Sequence, residues 1–219
     1  MRKTTLLVIS AVLVAAFSAC HFGRGVKGSC NLKIEKRELA AFKAIDTTGA
    51  YEVEVMCQKP ASFEIETDDN ILPLIKSEVR DGVLYVTSEK SYNPSRAVTV
   101  RIGLPELTAV SSQGAGDVSI QDAKSDDLKI ASMGAASIKA AGKVRSATIS
   151  SSGAGDIDAN RLQAEKARVT VAGAASVSVY ATEQLDVSVA GVGSVTYSGN
   201  PKTVNKSVSG IGSVNKKEE

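Results

Sequence analysis

Gly153-Ala-Gly-Asp-Ile157 and Gly173-Ala-Ala-Ser-Val177 are two of six copies of one short pattern. A glycine-led tripeptide is followed by a small polar residue and then a branched apolar one. The other copies begin at Gly114 (GAGDV), Gly134 (GAASI), Gly191 (GVGSV) and Gly210 (GIGSV). The first glycines recur at intervals of about 19 residues, a length that marks a solenoid, in which each copy is one coil stacked on the last.

The residues around each glycine say what kind of coil. Four before it stand Val110, Ile130, Ile149, Val169 and Val187. Two before it stand Ser112, Ser132, Ser151, Val171, Val189 and Val208. Four after it stand Val118, Ile138, Ile157, Val177, Val195 and Val214. This is period-two alternation, so a strand with one buried face runs into the glycine and a second runs out. Glycine at the corner suggests a turn with positive φ. A coil of about 19 residues is too short for helical repeats of about 33 or more. The expectation is an all-β fold, a right-handed parallel β-helix, the hand following the general rule for parallel crossovers. Its core columns of Val, Ile, Ala and Ser make it narrow. Ser112, Ser132 and Ser151 are expected to face inward and hydrogen-bond along the ladder.

The N-terminus reads as an export signal over residues 1–19. Arg2 and Lys3 are followed by an apolar run from Leu6 to Phe17. Phe17-Ser18-Ala19-Cys20 resembles the bacterial lipobox, which implies cleavage before Cys20 and its acylation, although Phe17 replaces the usual leucine. The alternative is an ordinary signal peptide cut near Ala19. The run is shorter than the roughly 20 residues of a membrane span. His21, not Asp, follows the cysteine, which by resemblance to the common sorting rule points to the outer membrane. Removing Arg2 and Lys3 from 26 basic residues leaves 24, against 24 acidic ones. A neutral chain with interspersed charges gives no electrostatic reason to expect nucleic acid.

Residues 20–30 read as a linker and 31–215 as one domain. Within it, 31–106 form an N-terminal cap with the first rungs, and 107–215 the repeat coils. Phe42…Ile45…Gly49…Val53-Glu-Val55 shares the grammar of the repeats. Asp68-Asp69-Asn70 before Ile71-Leu-Pro-Leu-Ile75 reads as the cap of a short helix. Asp81-Gly82 reads as a hairpin turn into Val83-Leu-Tyr-Val86. A cap is needed because the open end of a β-helix is a raw sheet edge. Cys30 and Cys57 lie near two strand ends and are candidates for one disulfide in an exported protein; the alternative is two free thiols.

Catalytic chemistry finds little support. Asp117, Asp122, Asp126, Asp127, Asp156 and Asp158 are candidate carboxylates, but Asp122, Asp126 and Asp127 read as a solvated loop. The one histidine, His21, sits beside the predicted anchor. Calcium at the GAGD copies is disfavoured, because Ser137 separates Asp117 from Asp156 by two rungs, about 10 Å. No metal or cofactor is expected. The chain has no Trp, and Tyr180 and Tyr197 are the aromatic candidates for a glycan surface or for a stacked pair covering apolar surface.

Val26-Lys-Gly-Ser29, Phe42…Ile45…Gly49, Asp69-Asn70…Leu74, Asp81-Gly82…Leu84 and the serial GxG[DS] copies resemble the auto-transporter adhesin head GIN domain family. The resemblance covers residues 26 to about 215, with Cys30 where a glycine is common. It implies a bacterial cell-envelope protein, often a lipoprotein, with a β-helix-like fold and no established enzymatic activity. The expected function is a lipid-anchored, non-catalytic binding or adhesin-like protein. It would meet the membrane through its N-terminal lipid and take a glycan or envelope-protein ligand. The alternatives are a β-helix carbohydrate-active enzyme and a purely structural, self-associating envelope protein.

Overall fold

The computed structural model describes residues 25–217. Cys20, His21 and the predicted signal segment, residues 1–19, lie outside them. The chain folds as β1 (Val26–Lys27), β2 (Leu32–Lys36), β3 (Ala44–Cys57), β4 (Ser62–Asp68), β5 (Ile75–Arg80), β6 (Val83–Ser88), β7 (Tyr92–Asn93) and β8 (Val98–Leu104). Then follow β9 (Ala109–Ser132), β10 (Ala135–Ser151), β11 (Asp156–Val171), β12 (Ser176–Gly191), β13 (Ser194–Ser198), β14 (Thr203–Gly210) and β15 (Ser213–Lys216). Thirteen strands form one large mixed sheet, and β1 pairs with β7 apart from it.

From β9 onward every pairing is parallel. Each residue stands beside its equivalent one repeat away: Val118 beside Ile138, Ile157 beside Val177, Val177 beside Val195. Neighbouring strands are about 4.8 Å apart, so like side chains stack in columns. The column Ile45, Val110, Ile130, Ile149, Val169, Val187 is buried throughout, as is Val53, Val118, Ile138, Ile157, Val177, Val195. β9 supplies two layers by itself. Lys129 N–H donates to Thr108 O at 2.9 Å, and Met133 N–H to Ser112 O at 2.9 Å. The uneven repeat length is absorbed by irregularities in register. At one of them Ala140 stands beside Ile120 but Gly142 beside Ala123, so β9 bulges there by an extra residue.

The glycines stand where the repeat requires, but for a different reason from the one expected. Among the six first glycines only Gly191 and Gly210 have positive φ. Gly114, Gly134, Gly153 and Gly173 do not, so left-handed corners are not what excludes a side chain there. They form a column of close backbone contacts. A Cβ on Gly114 would lie 2.0 Å from the Gly49 carbonyl oxygen, and one on Gly134 2.0 Å from that of Gly114. The inward serines also depart from expectation. Ser132 and Ser151 are buried, and neither hydroxyl has a hydrogen-bond partner. In-register parallel strands hold their Oγ atoms a full strand spacing apart, beyond hydrogen-bond reach.

The first half is threaded out of order. β3 lies between strands that come later in the chain. On one side its start pairs with β6 (Ala44 beside Val83) and its end with β8 (Tyr51 beside Val98). On the other side it pairs with β9 (Ala44 beside Ala109). Antiparallel strands then cover β6 and β8: β4 pairs with β8, β2 with β4, and β5 with β6. These form the cap. The predicted helix is a single 3₁₀ turn, Leu72–Leu74, and Ile71 at its N-cap makes no side-chain capping bond. Asp68, Asp69 and Asn70 are occupied elsewhere, as described below. The predicted linker is also partly structured, since Val26 and Lys27 pair with Tyr92 and Asn93.

Candidate binding surfaces

The candidate carboxylates spread along the outside of the stack. Asp117 stands beside Ser137, and Asp156 beside Ser176. Ser137 therefore separates the two aspartates, and no group of three or more metal-ligating side chains occurs among the described residues. Asp126 pairs with Arg145 at 3.2 Å, and Asp158 accepts from the Asn160 N–H at 3.1 Å. Tyr180 and Tyr197 do not form a pair. Alternation puts Tyr197 beside Val179 on the inner face, where it is buried, while Tyr180 lies beside Ser198 and is partly exposed.

A polar knot that was not anticipated ties the N-terminal arm to the cap. The Asp68 side chain is fully buried. Its Oδ1 accepts from the Cys30 N–H and the Ser95 hydroxyl, and its Oδ2 from the Ser95 N–H, each at 2.7 Å. Asp69 accepts from the Ser29 hydroxyl and from Asn31 Nδ2. Asn70 donates to the Lys27 carbonyl and accepts from the Ser29 N–H. These donors, the Ser95 N–H foremost for Asp68 and the Ser29 hydroxyl for Asp69, hold both carboxyls below the usual aspartate value. The sequence held one sign of this: three consecutive Asx residues facing a Ser/Asn-bearing arm offer more acceptors than a single helix cap uses.

Cys30 and Cys57 are both free thiols, Cys30 exposed and Cys57 buried. The arrangement of β4 keeps them apart. Cys57 stands beside Leu104, the neighbour of Gly103, which pairs with Ser62 at the start of β4. Cys30 is bound to Asp68 at its other end. Six strand residues span about 20 Å, whereas a disulfide needs Cα atoms within about 7 Å. Burial pushes the Cys57 thiol up to about 11, with Asp122 adding to the effect.

Two surface features lie along the repeats. An open trough of about 900 Å³ runs across successive coil corners, lined by Gln58, Glu106, Lys124, Lys143, Arg145 and Glu165 among others. Acids and bases both line it, with Lys124 and Lys143 side by side on adjacent strands. A second groove, of about 410 Å³, lies over the GVG and GIG copies and carries exposed Val192 and Ile211. The trough was not legible because its members come from three coils and from the β3 and β8 ends.

A family model described as "Putative auto-transporter adhesin, head GIN domain" matches residues 41–201. No curated protein matches the chain. Among solved structures, a "putative adhesin" from Bacteroides fragilis is 27% identical, with a TM-score of 0.74 over 88% of this chain and 100% of that one. A "putative lipid binding protein" from Parabacteroides distasonis is 21% identical, with a TM-score of 0.57 over 89% of this chain and 100% of that one. A "putative adhesin" from Parabacteroides merdae is 20% identical, with a TM-score of 0.55 over 89% of this chain and 99% of that one. The last two share the fold. With the model spanning most of the repeat coils and of the cap, the chain belongs to the auto-transporter adhesin head GIN domain family.

Proposed function

We propose that this chain is a non-catalytic, adhesin-like binding protein of the bacterial cell envelope, anchored through an acylated Cys20. Residues 31–215 act as one right-handed parallel β-helical scaffold. Family membership supports the binding role, and the Bacteroides and Parabacteroides neighbours fit an envelope location. The observation that carries the reading is the trough across the coil corners. Its lining carries both signs of charge, Glu106, Asp122, Asp126 and Glu165 with Lys124, Lys143 and Arg145, and is open to solvent. That chemistry suits a glycan or the polar surface of an envelope protein better than a compact apolar metabolite.

The test is a pull-down of envelope glycans and envelope extract with the processed form starting after residue 20. Ligand retained unchanged, and lost on Lys143→Ala with Arg145→Ala, supports binding at the trough. Ligand converted to product would favour a carbohydrate-active enzyme instead. Anchoring is tested separately by Cys20→Ala, which is expected to abolish lipid labelling. Undiminished labelling would refute the anchor.

A further inference from the structure

The inner column that runs Ile45, Val110, Ile130, Ile149, Val169, Val187 does not continue as an apolar residue. The next position, beside Val187, is Lys206. Every inner coil puts a branched hydrophobe there, and each is buried. In the coil made by β14 and β15 the side chain instead crosses the mouth of the lumen. Its Nζ donates to the Val214 carbonyl on β15 at 3.1 Å and stands 4.8 Å from the centre of the Tyr197 ring one coil below. The hydrogen bond and the ring face both hold the ammonium over the opening.

This edge is otherwise inviting. β14 pairs only with β12, and β15 only with β13, among the described residues. Their outer backbone groups therefore lack strand partners. The exposed large hydrophobes here are Val192 (64%), Val208 (44%) and Ile211 (83%). An unpaired strand edge beside exposed apolar side chains is a template for another chain.

We propose that Lys206 is the plug that ends the stack and keeps a second copy of this chain from docking on β14 and β15. A copy extending the stack would close over the ammonium. That would strip its water and leave a charge in a lumen lined by Val and Tyr, where among the described residues it has only the Val214 carbonyl and the Tyr197 ring as partners. Two copies meeting edge to edge would bring Lys206 against Lys206. Inward-pointing charge is one of the ways natural sheets protect an edge.

The test uses the processed chain from residue 21, which keeps every described residue. Its association is followed by size-exclusion chromatography with light scattering. The wild type is expected to run as a monomer. Lys206→Val, which restores the column, is expected to associate at least tenfold more tightly. Lys206→Glu, which keeps a charge in the lumen, is expected to stay monomeric. Adding Ile211→Asp to Lys206→Val should return it to monomer. This last variant distinguishes docking at this edge from misfolding, since a misfolded chain would aggregate with either residue at 211. Lys206→Val that remains as monomeric as wild type overturns the proposal. So does a wild type that is already a stable oligomer, or association that Ile211→Asp does not reverse.

Discussion

Gly153 lies so close over Gly134 that a Cβ built on it would sit 1.9 Å from the Gly134 carbonyl oxygen. The obstacle is main chain from the preceding coil, held on both sides by the ladder, and it cannot rotate away as a side chain would. Gly153→Ala is therefore expected to destabilise by on the order of 3 kcal/mol, and Gly153→Val by more. Gly82 provides the contrast. A Cβ there meets nothing within 4 Å, and its cost comes from its φ of +74° alone. Chemical denaturation of Gly153→Ala and Gly82→Ala should rank them in that order. Equal midpoints would refute the close-approach explanation.

The knot around Asp68 and Asp69 should loosen in acid. Both carboxyls lie below their ordinary value in the fold, whereas the unfolded value is about 3.9. A depressed pKa contributes stability that is fully present above the unfolded value. It is lost as pH falls below about 4 and through the folded values. Amide exchange at Cys30 and Ser95 should accelerate relative to Ile138 between pH 7 and pH 2. Asp68→Asn, which turns one acceptor into a donor facing donors, should show fast exchange already at pH 7. Equal protection of the arm at both pH values in the wild type would contradict this.

The cysteines should react very differently. Cys30 is exposed, while Cys57 is buried with its thiol raised to about 11. At neutral pH a thiol-directed alkylating agent should modify Cys30 in the native protein, and Cys57 only after denaturation. Mass mapping of the labelled peptides reads this directly. Native-state labelling of Cys57 at the rate of Cys30 would show that the β3 end opens readily.

The orphaned hydroxyls of Ser132 and Ser151 predict that removing them costs little. Each is a buried polar group without a partner, a penalty of about 1–3 kcal/mol. Ser151→Ala should leave thermal stability unchanged or raise it, unlike a buried apolar truncation such as Leu128→Ala, which should cost about 2–5 kcal/mol. A loss for Ser151→Ala as large as that for Leu128→Ala would mean the hydroxyl is hydrogen-bonded after all.

The parallel repeat strands were legible because register and burial write themselves into sequence twice, as alternation within a strand and as recurrence from repeat to repeat. Val118, Ile138, Ile157 and Val177 follow from that alone. The glycine column was visible, but its cause was not. A glycine needed for positive φ and one needed for close approach look identical in one sequence, and Gly153 proved to be the second kind. Tyr197 lies two residues after the buried Val195, so alternation puts it on the inner face, away from a glycan surface. Lys206 is illegible for the opposite reason. It sits at a core position, and its polarity hid it among surface residues. The cap was least legible, since no local pattern tells β3 that its neighbours lie far ahead in the chain.

That threading has a kinetic side. Ala44 meets Val83 and Ala109, both far ahead of it in the chain. Each later coil closes over one repeat only. By simple polymer scaling, closing about 65 residues instead of about 19 adds about 1 kcal/mol of chain entropy to be overcome before any contact rewards it. As the chain emerges from the ribosome, β3 has no lasting partner until residues 83–121 have followed it. Once β9 is laid against β3, a template exists and the remaining layers can add one short closure at a time. Assembly would thus wait on β9, written after both of β3's other partners, and the slow step would lie at the β3–β9 seam.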